Sequence, residues 1–248
     1  MSDAIETSVC EAGRFRSWSA THRGAVRGRN EDRCVNRADL GLWAVADGAG
    51  GHAAGDYAAA SIAQALEAIP DGLGAGELLA TIRLRLVEVH ARLTDAEEQC
   101  IPPPASTVVV LLAHDDHFAC LWAGDSRAYL LRDGRMDAIT RDHSLVQELV
   151  DAGALAPEAA EGHPQANVIT RAVGAGGELV LDKVTDRLRS GDRFLLCTDG
   201  LFKAVDLETI ERLLAADDVA GVAERLTQSA LNLEARDNVT VVAVAVTG

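Results

Sequence analysis

The sequence predicts an α+β fold in which two mainly antiparallel sheets pack face to face between helices, in four layers α-β-β-α. Strand-like segments follow one another in runs joined by tight turns, and helix-like segments come in pairs. A parallel sheet would instead require strands and helices to alternate strictly. Three long helices are enough to cover the outer faces of two packed sheets, which completes the four-layer prediction.

In the first half of the chain, helices are predicted at 53–69, ending before Pro70, and at 77–99. In the second of these, Leu78, Ile82 and Leu86 recur at helical spacing with charged residues between them. Short runs rich in β-branched and aromatic residues predict the strands, which are 15–21, 41–46, 106–112, 117–123 and 127–132.

In the second half, Ser144 and Gln147 have the spacing of a capping box that begins a short helix, and Gly153 ends it. Residues 154–174 show no sustained period. The remaining predicted strands are 179–185, 193–198 and 239–246, and the remaining helices are 207–216 and 219–234. The last helix has an apolar stripe that includes Leu226 and Leu233.

Length and composition predict one domain over 1–248, with 1–13 as a flexible tail. The chain has 248 residues and no linker-like segment. Its net charge of −15 argues against nucleic acid or an anionic membrane as the main partner. Five cysteines without a CxxC pair indicate a reduced environment, and neither a signal peptide nor an apolar run of spanning length is seen. We therefore expect a cytoplasmic protein, and a monomer.

Acidic residues stand repeatedly where a predicted strand meets a loop. They are Glu31, Asp32, Asp47, Asp125, Asp199 and Asp237. Any one of them could simply belong to a turn, because Asp-Gly pairs are common turn signals. Six carboxylates brought together would repel one another unless a cation lay between them. Oxygen ligands suit Mg²⁺ or Mn²⁺, and no cysteine or histidine pair has zinc spacing.

The loop 47–52 contains three glycines and ends in His52. Glycine lets a backbone approach a ligand closely, although this loop matches no nucleotide-binding motif. His52 stands at a predicted helix start, where either a structural or an acid/base role is possible.

The segment 14–37 carries seven arginines against two acids in its loops and strands. It is interpreted as a solvated face, as a docking surface for phosphorylated partners, or as the source of one phosphate-binding arginine. Arg27 is the candidate for the last role, since a guanidinium binds phosphate oxygens in a bidentate manner. The cluster 114–117 (HDDH) has the composition of a metal site, but its position between two strands predicts an exposed hairpin turn.

Taken together, the motifs resemble the metal-dependent protein phosphatases of type 2C, in their compact bacterial form. The matching segments follow the family order over nearly the whole chain. They are 27–32 (RGRNED), 46–52 (ADGAGGH), 124–127 (GDSR), 142–144 (DHS), 167–174 (NVITRAVG), 196–201 (LCTDGL) and 236–240 (RDNVT).

The resemblance implies a two-metal site at one end of an α-β-β-α sandwich. Asp47 would bridge both metals, and Asp199 and Asp237 would complete the protein ligands of the first. Glu31 and the backbone carbonyl of Gly48 would serve the second metal.

The resemblance also implies roles around that centre. Asp32 would orient metal-bound water and Asn238 would support the site. Asp125 matches a ligand of a weaker third metal found in bacterial members. Residues 143–174 correspond to a mobile flap beside the active site.

The implied reaction is hydrolysis of phosphoserine or phosphothreonine in proteins, in opposition to bacterial Ser/Thr kinases. A hydroxide shared by two Mn²⁺ or Mg²⁺ ions would attack phosphorus, Arg27 would hold the phosphate, and His52 would protonate the leaving oxygen. Cys197 is expected to be a buried strand residue without a role in the reaction.

Two positions depart from the family pattern. Ala49 replaces a methionine, with little expected consequence. Lys203 stands where the family has Asp or Asn that helps to hold the third metal, so the third site is in doubt. We expect its ammonium group to occupy part of that site and to pair with Asp125.

Two rival functions belong to other classes. One is a pseudophosphatase that keeps the fold and binds phosphoproteins, and the complete set of motif residues argues against it. The other is a different metal hydrolase, such as a nuclease or a small-molecule phosphatase, and the negative net charge disfavours the nuclease.

Overall fold

The computed structural model describes residues 4–49, 53–95, 103–216 and 220–247. It contains two antiparallel sheets. The first has the strand order β1-β2-β12-β11-β8-β9, and its strands are β1 (Glu6–Ala12), β2 (Phe15–His22), β8 (Arg127–Arg132), β9 (Arg135–Ala138), β11 (Arg193–Cys197) and β12 (Val239–Val246).

The second sheet has the order β10-β7-β6-β4-β3, with a two-residue strand β5 paired to the end of β4. Its strands are β3 (Asp32–Arg37), β4 (Leu42–Ala49), β5 (Ala105–Ser106), β6 (Val108–His114), β7 (His117–Ala123) and β10 (Asp182–Arg187).

The helices are α1 (Ala53–Glu67), α2 (Ala75–Asp95), α3 (Leu145–Asp151), α4 (Asp199–Phe202), α5 (Leu207–Ala215) and α6 (Val222–Asn232). Helices α1 and α2 pack on the second sheet through a cluster that includes Ile62, Leu86 and Val110. Helices α5 and α6 cover the first sheet through residues such as Leu226 and Val241.

The space between the sheets is filled by a third cluster, in which Trp43 and Leu111 of one sheet lie with Phe194 and Val244 of the other. Alternation along the strands explains this arrangement, since neighbouring side chains of a strand point to opposite faces. The four-layer α-β-β-α prediction is thus confirmed. Among the described residues, no helix is both long enough and apolar enough to span a bilayer.

The prediction of a flexible tail over 1–13 is wrong for Glu6–Ala12, which form β1. This strand pairs with β2 from Glu6 opposite Thr21 to Ala12 opposite Phe15, and the Ser8 and Ser19 hydroxyls are 2.8 Å apart. Most of its side chains are exposed because it lies at the edge of the sheet. Backbone hydrogen bonds hold it, so its sequence lacks the apolar alternation that indicates a half-buried strand.

Several other boundaries differ from the predictions. The strand predicted at 179–185 forms at Asp182–Arg187, and the polar edge strand β9 and the short helix α4 were not predicted. The helix predicted at 77–99 runs from Ala75 to Asp95, beyond which 96–102 lie outside the described residues. Leu233 is exposed, whereas the apolar stripe of its helix predicted burial.

Candidate active site

The predicted acids meet at one end of the sandwich, in a cleft of about 230 Å³. Eight of the predicted site residues line it, and they are Arg27, Glu31, Asp47, Gly48, Asp125, Asp199, Asp237 and Asn238. Asp32 is buried and lies opposite Asp47 in the antiparallel pairing of β3 with β4. His52 lies outside the described residues.

Asp47 lies near the end of β4 and is fixed through its backbone. Its N–H donates to the Thr107 hydroxyl at 3.1 Å, and its carbonyl accepts the Thr107 N–H at 2.9 Å. Burial, reinforced by the charges of Asp32, Asp199 and other carboxylates, raises the pKa of Asp47 well above its ordinary value. The ionised form of this carboxylate therefore needs a positive charge beside it.

Asp32 begins β3 and is only 1% exposed. Its Oδ2 atom accepts a hydrogen bond from the Thr198 hydroxyl at 2.8 Å, and that hydroxyl oxygen in turn accepts the Thr240 N–H at 3.0 Å. Burial raises the Asp32 pKa to about 7, although the hydrogen bonds from Thr198 and Thr240 act in the opposite direction. Asp32 is thus a buried carboxyl held by neutral hydroxyl groups.

Gly48 and Gly55 allow β4, α1 and Glu31 to approach one another. A Cβ atom on Gly48 would lie 2.3 Å from the Gly55 carbonyl oxygen, and one on Gly55 would lie 2.5 Å from Glu31 Oε2. Real Cβ contacts are not this short, so the close approach requires glycine at both positions. The backbone at Gly48 and the Glu31 carboxylate are thereby kept side by side.

Asn238 connects the start of β12 to the arginine-rich loop. Its side-chain NH₂ donates to the carbonyls of Arg23 and Arg29, both at 2.9 Å, and its Oδ1 accepts the Glu31 N–H at 2.8 Å. The side chain is buried. The predicted supporting position of Asn238 therefore has a clear geometric basis, because one residue orients both ends of the loop that carries Arg27.

Lys203 pairs with Asp199, not with Asp125 as predicted. Its Nζ atom donates to Asp199 Oδ2 at 2.5 Å and to Asn167 Oδ1 at 2.7 Å. The helix α4 explains the correction, because residues i and i+4 lie on one face of a helix and Lys203 follows Asp199 by four positions. Burial alone would lower the Lys203 pKa, but Asp199, Asp125 and Asp47 together raise it, so the ammonium stays charged.

Asp237 and Arg27 form the second ion pair of the cleft. Arg27 Nη2 donates to Asp237 Oδ2 at 2.7 Å, and the Asn238 N–H donates to Asp237 Oδ1 at 2.9 Å. The Arg27 side chain is 54% exposed, so its guanidinium is accessible from solvent. The structure thus brings the predicted phosphate-binding arginine to the predicted metal ligands.

Asp125 lies after β7 in a turn fixed by His143. The Gly124 N–H donates to His143 Nδ1 at 3.2 Å, and the His143 N–H donates to the Gly124 carbonyl at 2.9 Å. Burial and the Asp199 charge raise the Asp125 pKa to about 6, while Lys203 lowers it. Arg127, two residues on, binds both carboxylate oxygens of Asp142.

The segment predicted as a flap, 143–174, lies beside this cleft. It begins with α3, whose N-cap Ser144 side chain accepts the Gln147 N–H, and continues without long regular elements. The Gln147 side chain donates to Asp151, so the predicted capping box forms only on the Ser144 side. Asn167 and Ile169 reach the cleft lining. Its mobility stays a prediction.

The donor set fits a hard divalent cation. Every candidate ligand atom is an oxygen, and Asp199 Oδ1 is buried without a hydrogen-bond partner among the described residues. The carboxylates also raise one another's pKa values, which a cation between them would reverse. In the parts of the chain that the structure describes, no three acidic, histidine or cysteine side chains are gathered at coordinating positions. Asp199 and Asp237 are paired with Lys203 and Arg27 instead.

Burial and ion pairing describe the other residues that the sequence singles out. Cys197 is fully buried in β11 and burial raises its thiol pKa to about 12, as expected of a core residue. The cluster 114–117 forms the predicted turn between β6 and β7. Arg14 pairs with Asp116 of that turn, and Arg16 with Glu11, at the far end of β2 from His22 and the cleft.

A model of the family described as Protein phosphatase 2C matches residues 21–239. The chain belongs to the protein phosphatase 2C family. Among its relatives, the serine/threonine protein phosphatase PstP of Mycobacterium tuberculosis is 40% identical over 222 residues, which is 89% of this chain and 43% of the relative. The serine/threonine phosphatase stp of Listeria monocytogenes is 31% identical over 234 residues, covering 90% of this chain and 93% of the relative.

Solved structures of this phosphatase 2C fold agree closely with the chain. PppA, described as a key regulatory component of T6SS in Pseudomonas aeruginosa, has a TM-score of 0.87 at 40% identity, covering 94% of this chain and 98% of that one. The catalytic domain of PstP in complex with two manganese ions has a TM-score of 0.80 at 37% identity, with 94% and 99% covered. The chain spans less than half the length of the curated mycobacterial relatives that it matches.

Sequence reasoning missed three hydroxyl residues that hold this site in the phosphatase 2C fold. They are Thr107, Thr198 and Thr240. Thr198 directly precedes Asp199, which is a weak signal. Thr107 lies between β5 and β6, and Thr240 lies in the apolar strand β12, where a threonine is ordinary. Neither contact is marked by a local sequence pattern, because each joins residues far apart in the chain.

Proposed function

We propose that this chain hydrolyses phosphoserine and phosphothreonine in proteins, with Mn²⁺ or Mg²⁺ bound in the acidic cleft. The main support for the proposal is that carboxylates from several separate elements meet in one cleft, which also contains a solvent-accessible arginine. Membership of the protein phosphatase 2C family and relatives named as serine/threonine phosphatases support the enzyme over the pseudophosphatase.

The metal ligands in this proposal are Glu31, Asp47, Asp199 and Asp237, with the backbone carbonyl of Gly48. Divalent ions at such a site supply electrostatic stabilisation and lower the pKa of bound water. Asp125 is a further candidate ligand, and Lys203 already places a positive charge beside it.

Arg27 would bind the phosphate oxygens by turning part of its guanidinium from Asp237 to the substrate. Its exposure of 54% leaves donors free to do so, and bidentate binding suits a phosphate. Asp32 would orient the reacting water and accept its proton, since it is buried and lies opposite Asp47 in the strand pairing. His52 is proposed, from the family resemblance alone, as the acid that protonates the leaving oxygen.

The substrates, the opposing enzyme and the cellular location are proposed from the family and from the composition of the chain. Phosphorylated proteins are the substrates and a Ser/Thr kinase is the opposing enzyme. A monomeric cytoplasmic protein fits the acidic composition and the absence of a disulfide among the described cysteines.

The test is hydrolysis of p-nitrophenyl phosphate and of a phosphothreonine peptide, with Mn²⁺, with EDTA and with the variant Asp237→Ala. We expect Mn²⁺-dependent turnover that EDTA and the substitution each abolish. A folded, Mn²⁺-loaded protein that hydrolyses neither compound would overturn the proposal in favour of the binding module. Preference for single-stranded DNA would favour a nuclease instead.

A further inference from the structure

A second depression, of about 1090 Å³, adjoins the acidic cleft. Arg27, Asn167 and Asp237 line both the cleft and this depression, which we call the flanking groove. The groove is therefore continuous with the cleft and begins at the arginine proposed to bind phosphate. A polypeptide whose phosphorylated side chain reaches Arg27 can extend its neighbouring residues along this groove.

The walls of the flanking groove are fixed to the site. The Ala25 N–H donates to the Ala235 carbonyl at 2.9 Å, which joins the arginine-rich loop to the segment between α6 and β12. A Cβ atom on Gly24 would lie 2.0 Å from the Asp237 carbonyl oxygen, so these two backbones are in direct contact. The Asn238 side chain binds the Arg23 carbonyl on the same loop. These contacts fix the position of the groove relative to the cleft.

The lining of the groove contains two large apolar side chains that face solvent. Val26 is 64% exposed and Leu233 is 59% exposed, and both are among the three most exposed large hydrophobic side chains in the described part of the chain. They belong to the two segments that are joined by the Ala25–Ala235 hydrogen bond. Leu233 lies at the end of α6, outside the core that its helix builds with Leu226.

Charge does not select a ligand in this groove. Lys203 and Arg27 are already paired with Asp199 and Asp237. The remaining charged residues of the lining are Arg236 and Glu234, which have opposite signs. Contact with Val26 and Leu233 is therefore the feature that distinguishes one flanking sequence from another, because removing apolar surface from water is favourable.

We propose that the flanking groove binds the polypeptide next to the phosphorylated residue and selects substrates with an apolar side chain one or two positions from it. Val26 and Leu233 are the specificity-determining residues. This inference rests on the proposed phosphatase function and names the substrate class of the same cleft. The occupant is an extended protein segment, since the groove is open and has no enclosed pocket of opposite charge for a small ligand.

The test compares two kinds of phosphothreonine peptide. In the reference peptide, only glycine and serine flank the phosphothreonine. In each of the others, one leucine stands one or two positions before or after the phosphothreonine. The wild-type chain should prefer leucine in at least one position by about tenfold in kcat/KM, the selectivity that a modest apolar contact provides. The double variant Val26→Ser/Leu233→Ser should bring this ratio of leucine peptide to glycine-serine peptide close to one.

The matched control is Leu207→Ser, which removes a leucine of 49% exposure on α5, outside the groove lining. The control should retain the wild-type ratio. Absence of a leucine preference in the wild-type chain, or an equal loss of preference in the control, would overturn the proposal.

Binding measured without turnover separates this proposal from the proposed function. Fluorescence anisotropy of the Mn²⁺-loaded chain gives the Kd of each labelled peptide, made with a non-hydrolysable phosphonate in place of the phosphate. The ratio between leucine and glycine-serine peptides should again be lost in the double variant. A chain that hydrolyses nothing but keeps this ratio contradicts the phosphatase proposal alone. Equal affinity for all the phosphopeptides, or a leucine preference that does not require the phosphate, contradicts the groove proposal.

Discussion

The two sides of the acidic cleft hold their carboxylates by different means. On the buried side, Asp32 is 1% exposed and accepts a hydrogen bond from the neutral hydroxyl of Thr198. On the open side, Asp199 and Asp237 accept hydrogen bonds from Lys203 and Arg27, which are cations of the same chain. The open side therefore carries its own counter-charges, whereas the buried side has none and its carboxyl pKa is raised to about 7.

This difference separates two tasks within one site. A buried carboxyl that is fixed by hydroxyl groups is suited to orienting a water molecule and accepting its proton. Carboxylates paired with movable cations are suited to changing partners, because the cation can turn to a phosphate or give way to a metal.

The substitution Asp32→Asn removes the ionisable group of the buried side and keeps its shape. We expect kcat/KM for p-nitrophenyl phosphate to fall at least about a hundredfold, the usual contribution of a positioned acid or base. The matched control is Asp206→Asn, an exposed N-cap that accepts the Thr209 N–H and works equally well as asparagine. Activity of the Asp32 variant within threefold of wild type would remove Asp32 from the reaction.

The substitution Thr198→Val tests the hydroxyl groups themselves. It removes the donor to Asp32 and leaves the buried Thr240 N–H without its acceptor, so the free energy of unfolding should fall by about 1–3 kcal/mol. Urea unfolding measures the change. Thr227→Val is the control, because the buried Thr227 hydroxyl has no hydrogen-bond partner among the described residues, and its removal should be neutral or stabilising. Equal destabilisation by both changes would contradict the assigned role of Thr198.

The substitution Lys203→Met removes the counter-charge from Asp199 on the open side. Because a positive charge near the ligands opposes a divalent cation, Mn²⁺ affinity should rise by about tenfold. Calorimetric titration measures the affinity, and Lys183→Met on β10 is the matched control, since Lys183 is exposed and absent from the cleft lining. Lys203→Asp should in addition gain a weak further Mn²⁺ site. Identical titrations for wild type, Lys203→Met and Lys203→Asp would contradict this view of the open side.

His143 supports the turn that contains Asp125, and its burial makes stability depend on pH. Burial lowers the pKa of His143, although Asp182 acts in the opposite direction. The unfolded chain then binds a proton more readily than the folded one, so this group costs stability as pH falls below about 6.5, the ordinary histidine value. Urea midpoints at pH 7.5 and 5.5 should therefore differ more for wild type than for His143→Gln. The same difference in both proteins would rule out the histidine contribution.

The sequence was sufficient to predict the helices and strands whose apolar residues recur with a regular period. The central strands and the long helix α2 show it clearly, and the strand-end positions of Asp47, Asp199 and Asp237 follow from the elements before or after them. The edge strand β1 was missed because backbone pairing, not apolar burial, holds it to β2.

The sequence predicted which residues belong to the site better than it predicted which of them contact one another. Lys203 was expected beside Asp125, yet the short helix α4, which has too few residues to show a period, places it on Asp199. The hydroxyl contacts of Asp32 join residues 166 positions apart, and no local pattern marks such a pair. Exposure of Leu233 likewise depends on where α6 ends against the rest of the fold.

Binding of Mn²⁺, followed by electron paramagnetic resonance, determines whether the carboxylates of the acidic cleft form a two-metal centre. The signal of free Mn²⁺ should report two ions bound per wild-type chain, and Asp237→Ala should lose at least one of them while remaining folded. A folded wild-type chain that binds no Mn²⁺, or a variant that binds as many ions as wild type with equal affinity, would contradict the account.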